Sequence, residues 1–162
     1  MPNPNHQIHS MFQRALGPVL QAAAQKMPVV TVLGPRQSGK TTLTRATFPS
    51  HVYVSLELPH ERVQAREDPL GFLSRFGGGV ILDEVQREPA LLSYIQVAVD
   101  EDSRPGRFIL TGSQNLLLME KVSQTLAGRS ALLSLLPLSL AELHGRPPIG
   151  PSFWEDLASS TE

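Results

Sequence analysis

The chain has 162 residues, 41% of them hydrophobic, which suits one domain of ordinary size with a single packed core. It contains no cysteine, so disulfides, thiolate metal sites and a cysteine nucleophile are excluded. The net charge of −1 hides an asymmetry: residues 1–50 carry five Lys/Arg and no Asp/Glu, whereas residues 51–102 carry ten Asp/Glu and four Arg. An acid-free stretch of this kind favours a polyanionic ligand.

Residues 1–8 (MPNPNHQI) read as a polar, Pro-containing tail. Between residues 9 and 26, Phe12, Leu16, Leu20 and Ala24 recur every four positions, the spacing of an amphipathic helix that Gly17-Pro18 should bend or restart. VVTVLG (29–34) is a run of mostly β-branched apolar residues and predicts a buried parallel strand. A Gly-rich turn follows, then a helix over 39–48 stopped by Pro49, and a second strand over 51–56 (HVYVSL). Pro59 opens a helix at its first turn, and a second short helix over 69–76 has Asp68 as its cap. Gly77-Gly78-Gly79 turns the chain into a strand at 80–83 (VILD).

A helix is expected from Pro89, with Leu92, Ile95, Gln96 and Val99 on one side. A fourth strand is expected at 107–111, a helix at 115–127 ended by Gly128, a fifth strand at 130–135 and a short helix at 139–144. Residues 9–145 read as the folded domain, and 146–162 lose periodicity and read as the start of a truncated C-terminal region. Alternating strands and helices predict an α/β fold, a parallel sheet with helices on both faces. Ligands in such sheets bind beyond the carboxyl ends of the strands, where every candidate functional residue is expected. The longest apolar stretch, 131–143, is too short for a membrane span and is broken by Pro137. No basic-then-apolar leader is visible, and Arg14 is the only Lys or Arg before Lys26, so a cytoplasmic location without a membrane partner is expected.

Residues 34–41 (GPRQSGKT) match G-x4-G-K-S/T after a strand and before a helix. The glycines Gly34 and Gly39 let the backbone turn tightly against phosphates. Successive N–H groups around Gln37, Ser38 and Gly39 through Thr42 form an anion nest at the positive end of a helix. Lys40 places a charge between the β and γ phosphates, and the Thr41 hydroxyl is a Mg²⁺ ligand. Arg36 sits within the loop with its side chain expected to face outward.

The strand ending in Asp83-Glu84 supplies a second Mg²⁺ ligand in Asp83 and a water-activating base in Glu84. Alone, two acids after an apolar run also read as a solvated turn. Thr111 or Ser113, at the end of FILTGS, can hold the attacking water, while Ser113 is equally a natural cap for the helix that follows. Arg129 can stabilise transition-state charge in its own subunit or across an interface, or be a surface arginine after a helix-ending glycine. The five histidines show no metal-ligand spacing.

GPRQSGKTTL, YVSLE, VILDEVQREP, FILTGSQN and LAGRSALLSLLPLSLAEL, taken together, resemble the AAA-type ATPase domain of a widespread family of bacterial and archaeal ATP-binding proteins. In that family the domain precedes a C-terminal domain of unknown function. The resemblance covers residues 12–157. It implies a three-layer P-loop NTPase of the ASCE type with strand order 5-1-4-3-2, ATP and Mg²⁺ as ligands, and the roles named above for Lys40, Thr41, Asp83 and Glu84. It also implies Thr111–Ser113 as a sensor and Arg129 as a nucleotide-sensing or finger residue. Members usually continue for about two hundred residues more; if the stop at Glu162 is real, the output domain is missing.

The function expected is Mg-dependent ATP hydrolysis coupled to a partner protein or a second copy of the chain. A P-loop small-molecule kinase is the rival enzyme, but it needs an arginine-rich lid that the sequence does not supply. A nucleotide-binding switch with little turnover is the third reading. No Lys/Arg cluster supports a nucleic-acid surface.

Overall fold

The computed structural model describes residues 12–145. The predicted alternation is realised as α1 (Leu16–Ala24), β1 (Val29–Gly34), α2 (Lys40–Thr47), β2 (Val52–Ser55), α3 (Pro59–Glu67), α4 (Pro69–Ser74), β3 (Val80–Asp83), α5 (Leu91–Glu101), β4 (Phe108–Ser113), α6 (Leu116–Thr125), β5 (Ser130–Ser134) and α7 (Leu140–Leu143). A single 3₁₀ turn, Val85–Arg87, lies between β3 and α5. The tail expected at 1–8 and the region expected at 146–162 lie outside the described residues.

All four strand pairings are parallel, and the sheet order is β2-β3-β4-β1-β5, the expected 5-1-4-3-2 read from the other edge. The three central strands bury nearly every residue, because side chains alternate between two covered faces. On one face, Val29, Leu33, Val80, Leu82, Phe108 and Leu110 pack against α3, α4, α5 and α6. On the other, Val30, Val32, Ile81 and Ile109 pack against Leu20 and Ala24 of α1 and Leu43 of α2. Each such fully buried aliphatic or aromatic side chain contributes about 1.5–3 kcal/mol.

Several boundaries shift for local reasons. The first helix begins at Leu16, so that Gly17-Pro18 falls in its first turn, where the missing proline N–H costs nothing. The strand expected to end at Thr111 runs on to Ser113, held by register with Gly34 of β1. Ser113 therefore does not cap the next helix. Asn115 does, accepting from the Leu118 N–H at 2.9 Å. Asp68 caps α4 as expected, accepting from the Gly71 N–H at 2.9 Å.

Leu16–Pro137 is one compact unit and holds the whole sheet with α1–α6. Of the remaining described residues, 12–15 and 138–145 fall in a second unit. In this second unit Ser139 and Glu142 form a reciprocal capping box on α7. Glu142 also accepts from the Ala15 N–H at 2.9 Å and from Arg14 Nε at 3.1 Å. Burial works to raise the Glu142 pKa. The Ser139 and Ala15 amides and the Arg14 guanidinium outweigh it and lower the value from 4.5 to about 2.

A carboxylate whose pKa is depressed by folding stabilises fully above its ordinary value, and that contribution fades as pH falls toward the folded value. Hydrogen exchange at the Ala15 and Ser139 amides is therefore expected to be slower in the parent than in Glu142→Gln above about pH 4.5, with the gap closing toward about pH 2. Equal protection of the two proteins at neutral pH would refute this.

Candidate functional site

β1 and β3 are separated in the sheet only by β4, and the carboxyl ends of all three converge on one rim. From β1 the chain enters the loop 35–39 and then α2. Gly39 has φ +88°, a left-handed conformation that closes the loop directly onto the first turn of the helix. Gln37 is also left-handed, at φ +61°. Lys40 is 5% exposed and folds back to donate to the carbonyls of Gly34, at 3.0 Å, and Pro35, at 2.8 Å. Among the described residues it has no ion-pair partner. A buried ammonium held only by neutral carbonyls is a cation without its counter-charge.

Asp83 ends β3 and is 6% exposed. Three hydroxyls reach it. Thr41 donates to it at 3.0 and 3.2 Å, Tyr53 donates to Oδ2 at 2.7 Å, and Thr111 donates to Oδ1. It too lacks an ion-pair partner among the described residues. A hydroxyl beside a carboxylate is the oxygen donor set that Mg²⁺ takes, with one or two protein carboxylates and the rest from water and phosphate. Among the described residues no cluster of three His, Cys, Asp or Glu is placed to hold a metal ion.

Glu84 follows in a left-handed conformation, φ +59° and ψ +46°, which turns the chain out of the sheet and into the 3₁₀ turn. Its N–H donates to the Thr111 hydroxyl at 3.3 Å. The Thr111 hydroxyl thus gives its one proton to Asp83 and accepts from the Glu84 N–H, with one acceptor lone pair remaining. Ser113 lies next to Gln86, whose Nε2 donates to the Ser113 hydroxyl at 3.1 Å. That arrangement leaves the serine proton free to be donated.

Of the expected site residues, Gly34, Gln37, Ser38, Gly39, Lys40, Thr41, Thr42, Asp83, Glu84, Thr111 and Ser113 lie on the loop, the start of α2 or the carboxyl ends of the strands. Arg129 does not. It precedes β5, its carbonyl accepts from the Val29 N–H at the start of β1, and that point lies about 16 Å along the strand from Gly34. Its guanidinium pairs with Asp100 at 2.6 and 3.0 Å. The expectation that all candidates share the carboxyl rim does not hold for Arg129, which lies at the other end of β1 from Gly34. Arg36 is exposed, as expected.

Two neighbours of the acids were not singled out from the sequence, Tyr53 and Gln86. Tyr53 lies on β2 beside β3, on the face that carries Ile81 and Asp83, so its hydroxyl arrives at Asp83 by strand pairing alone. Burial, then the hydrogen bond to Asp83 and its charge, push the Tyr53 phenol up to about 12, while Ser55 and the Arg45 guanidinium, 4.9 Å from the ring centre, oppose this. An alkaline absorbance titration is expected to show a phenol ionising near pH 12 that is absent in Tyr53→Phe. Its survival in the variant would break the assignment.

A family model described as an AAA domain matches residues 26–144. An uncharacterized protein of Mycobacterium bovis and one of Mycobacterium tuberculosis are each 36% identical over 125 residues, covering 76% of this chain and 28% of theirs. The chain thus spans little more than a quarter of the length of the curated relatives it matches. Among solved structures, a Walker-type ATPase of Pyrococcus abyssi superposes with TM-score 0.58 at 16% identity, over 98% of this chain and 66% of that one. The P-loop NTPase domain of a sigma-54 transport activator from E. coli gives 0.52 at 18% identity, over 74% and 91%. A signal-transduction ATPase of Pyrococcus horikoshii with a tetratricopeptide repeat sensor gives 0.51 at 13% identity, over 96% and 26%. At these identities the structural likenesses establish the fold.

Proposed function

We propose a function from one premise: this chain belongs to the AAA domain family and is an AAA-type P-loop ATPase domain, nucleotide-binding at the coarse level. The finer reading is Mg-dependent hydrolysis of ATP by an activated water. The observation that carries it is the pair of buried charges with no ionic partner among the described residues, Lys40 and Asp83, on neighbouring elements of one rim. A triphosphate with its metal satisfies both at once, since the phosphates need a cation and the metal needs a carboxylate.

In this reading the loop 34–39 and the N-terminus of α2 bind the β and γ phosphates through backbone N–H groups, with Lys40 turning from the Gly34 and Pro35 carbonyls onto them. Thr41 and Asp83 would hold a magnesium ion, which would supply positive charge to offset that of the phosphates. Glu84 orients a water and takes its proton, while Ser113 donates a hydrogen bond that fixes that water or a γ-phosphate oxygen.

The arginines do not favour a kinase lid. Arg62 donates to the Leu56 and Glu57 carbonyls, Arg66 pairs with Glu88, Arg75 with Gln64, Arg104 with Asp102 and Arg129 with Asp100. Each is engaged with its own surroundings rather than gathered over a second substrate. The partner and the process served are further proposals of the coarsest kind: a larger protein or a second copy of the chain, moved by the nucleotide cycle.

Lys40→Ala is expected to weaken ATP binding, read by equilibrium titration, by about ten- to a hundredfold, the scale of a lost charge-assisted contact of about 1.5–3 kcal/mol. Binding within twofold of the parent would contradict the phosphate cradle. Glu84→Gln is expected to bind ATP normally and to lower turnover by roughly 10²–10⁴-fold, the usual share of general base catalysis. Undiminished turnover in that variant would remove Glu84 from its role.

A further inference from the structure

The Gln86 side chain makes three polar contacts, all to groups named above. Its Nε2 donates to Glu84 Oε2 and to Ser113 Oγ at 3.1 Å, and its Oε1 accepts from the Ser113 N–H at 3.3 Å. The orientation of the amide is fixed by its partners. A carboxylate only accepts and a backbone N–H only donates, so the nitrogen must face Glu84 and the oxygen must face Ser113. Gln86 lies in the 3₁₀ turn two residues after Glu84, and the left-handed backbone at Glu84 brings the two side chains within reach of each other.

β4 has made room for this side chain. A Cβ built on Gly112 would lie 2.7 Å from Gln86 Oε1, and also 2.7 Å from Leu118 Cδ2. A side chain at that point would require both the Gln86 amide oxygen and the Leu118 methyl to shift. Gly112 has an ordinary backbone here, so the requirement is one of close approach.

We infer that Gln86 is a positioning residue for the reaction: it ties the Glu84 carboxylate to the end of β4, so that base and γ-phosphate contact are held in one relation. The inference rests on the reading of Glu84 as the base. A carboxylate on a free side chain samples several rotamers, and a misplacement of about 1 Å at a reacting group costs on the order of a hundredfold in rate. One amide that bonds both Glu84 and Ser113 removes that freedom. It also makes the aim of the base depend on where Ser113 sits.

The test compares the full chain with Gln86→Met, which keeps the length and loses donor and acceptor, and with Gly112→Ala, which displaces the amide from the opposite side. Both are expected to lower kcat by about ten- to a hundredfold while KM and the ATP Kd stay within about twofold. An unchanged or raised kcat in Gln86→Met, or a loss confined to KM, would overturn the inference. Nitrogen-15 NMR of the parent supplies a readout independent of turnover. The Gln86 side-chain NH₂ pair is expected to shift in Ser113→Ala and again in Glu84→Ala. If it moves in neither, the link does not exist in solution. Should Glu84→Gln hydrolyse like the parent, the base assignment falls by itself, and the NMR arm still decides whether Gln86 joins the two strands.

Discussion

A buried ammonium and a buried carboxylate, each without an ionic partner among the described residues, face the same rim of the sheet. The rest of the site is arranged around that imbalance. Leaving either charge in the interior costs several kcal/mol unless polar groups surround it. Lys40 meets this cost with two carbonyls, and Asp83 meets it with three hydroxyls. Neutral dipoles hold the charges without cancelling them, and they can be exchanged for a ligand one hydrogen bond at a time. A salt bridge between Lys40 and Asp83 would have been the simpler fold, but it would have closed the site to phosphate.

Strand order is what keeps the two charges near but apart. With β4 between β1 and β3, the phosphate loop and the acids are separated by one strand width on either side of a polar strand end, roughly 5 Å each. The middle position makes β4 the hub. Thr111 reaches back to Asp83 and to the Glu84 amide, and Ser113 meets Gln86. Thr111 and Ser113 share a side of the strand by the two-residue period, with Gly112 between them on the opposite face. Placing a small residue there lets a side chain from the neighbouring turn cross the strand end.

The sequence made the phosphate loop, the acids and the alternation of elements legible because each rests on a local signal: fixed spacing, an apolar run ending in charge, or a cap residue before a periodic stretch. The sheet order came from resemblance and not from periodicity, since no local pattern says which strands pair. What was not legible depends on pairing. Tyr53 carries no motif, and only the register of β2 with β3 brings its hydroxyl to Asp83. Ser113 looked like a cap because serine often is one, yet β4 extends two residues beyond the expected end and hands the cap to Asn115. Arg129 looked like a site residue because it lies before a strand bordering β1, but in a parallel sheet the start of one strand lies beside the start of the next, a strand length from the site.

Backbone strain points to the same place as charge. Among the described residues only Gln37 and Glu84 are left-handed without being glycine. One lies in the phosphate loop and the other directly follows Asp83. Such a conformation costs on the order of 1–2 kcal/mol and persists where surrounding contacts over-determine it. At Glu84 those contacts are the Thr111 hydroxyl on its amide and Gln86 on its carboxylate. The turn they impose ends β3 at Asp83 and sends the chain across the rim rather than onward along the sheet. Two adjacent acids on a continuing strand would face opposite sides of the sheet. A sharp left-handed turn between them lets Asp83 stay among the hydroxyls beside Thr41 while Glu84 is drawn toward Ser113. The left-handed turn is therefore what gives two adjacent acids different surroundings.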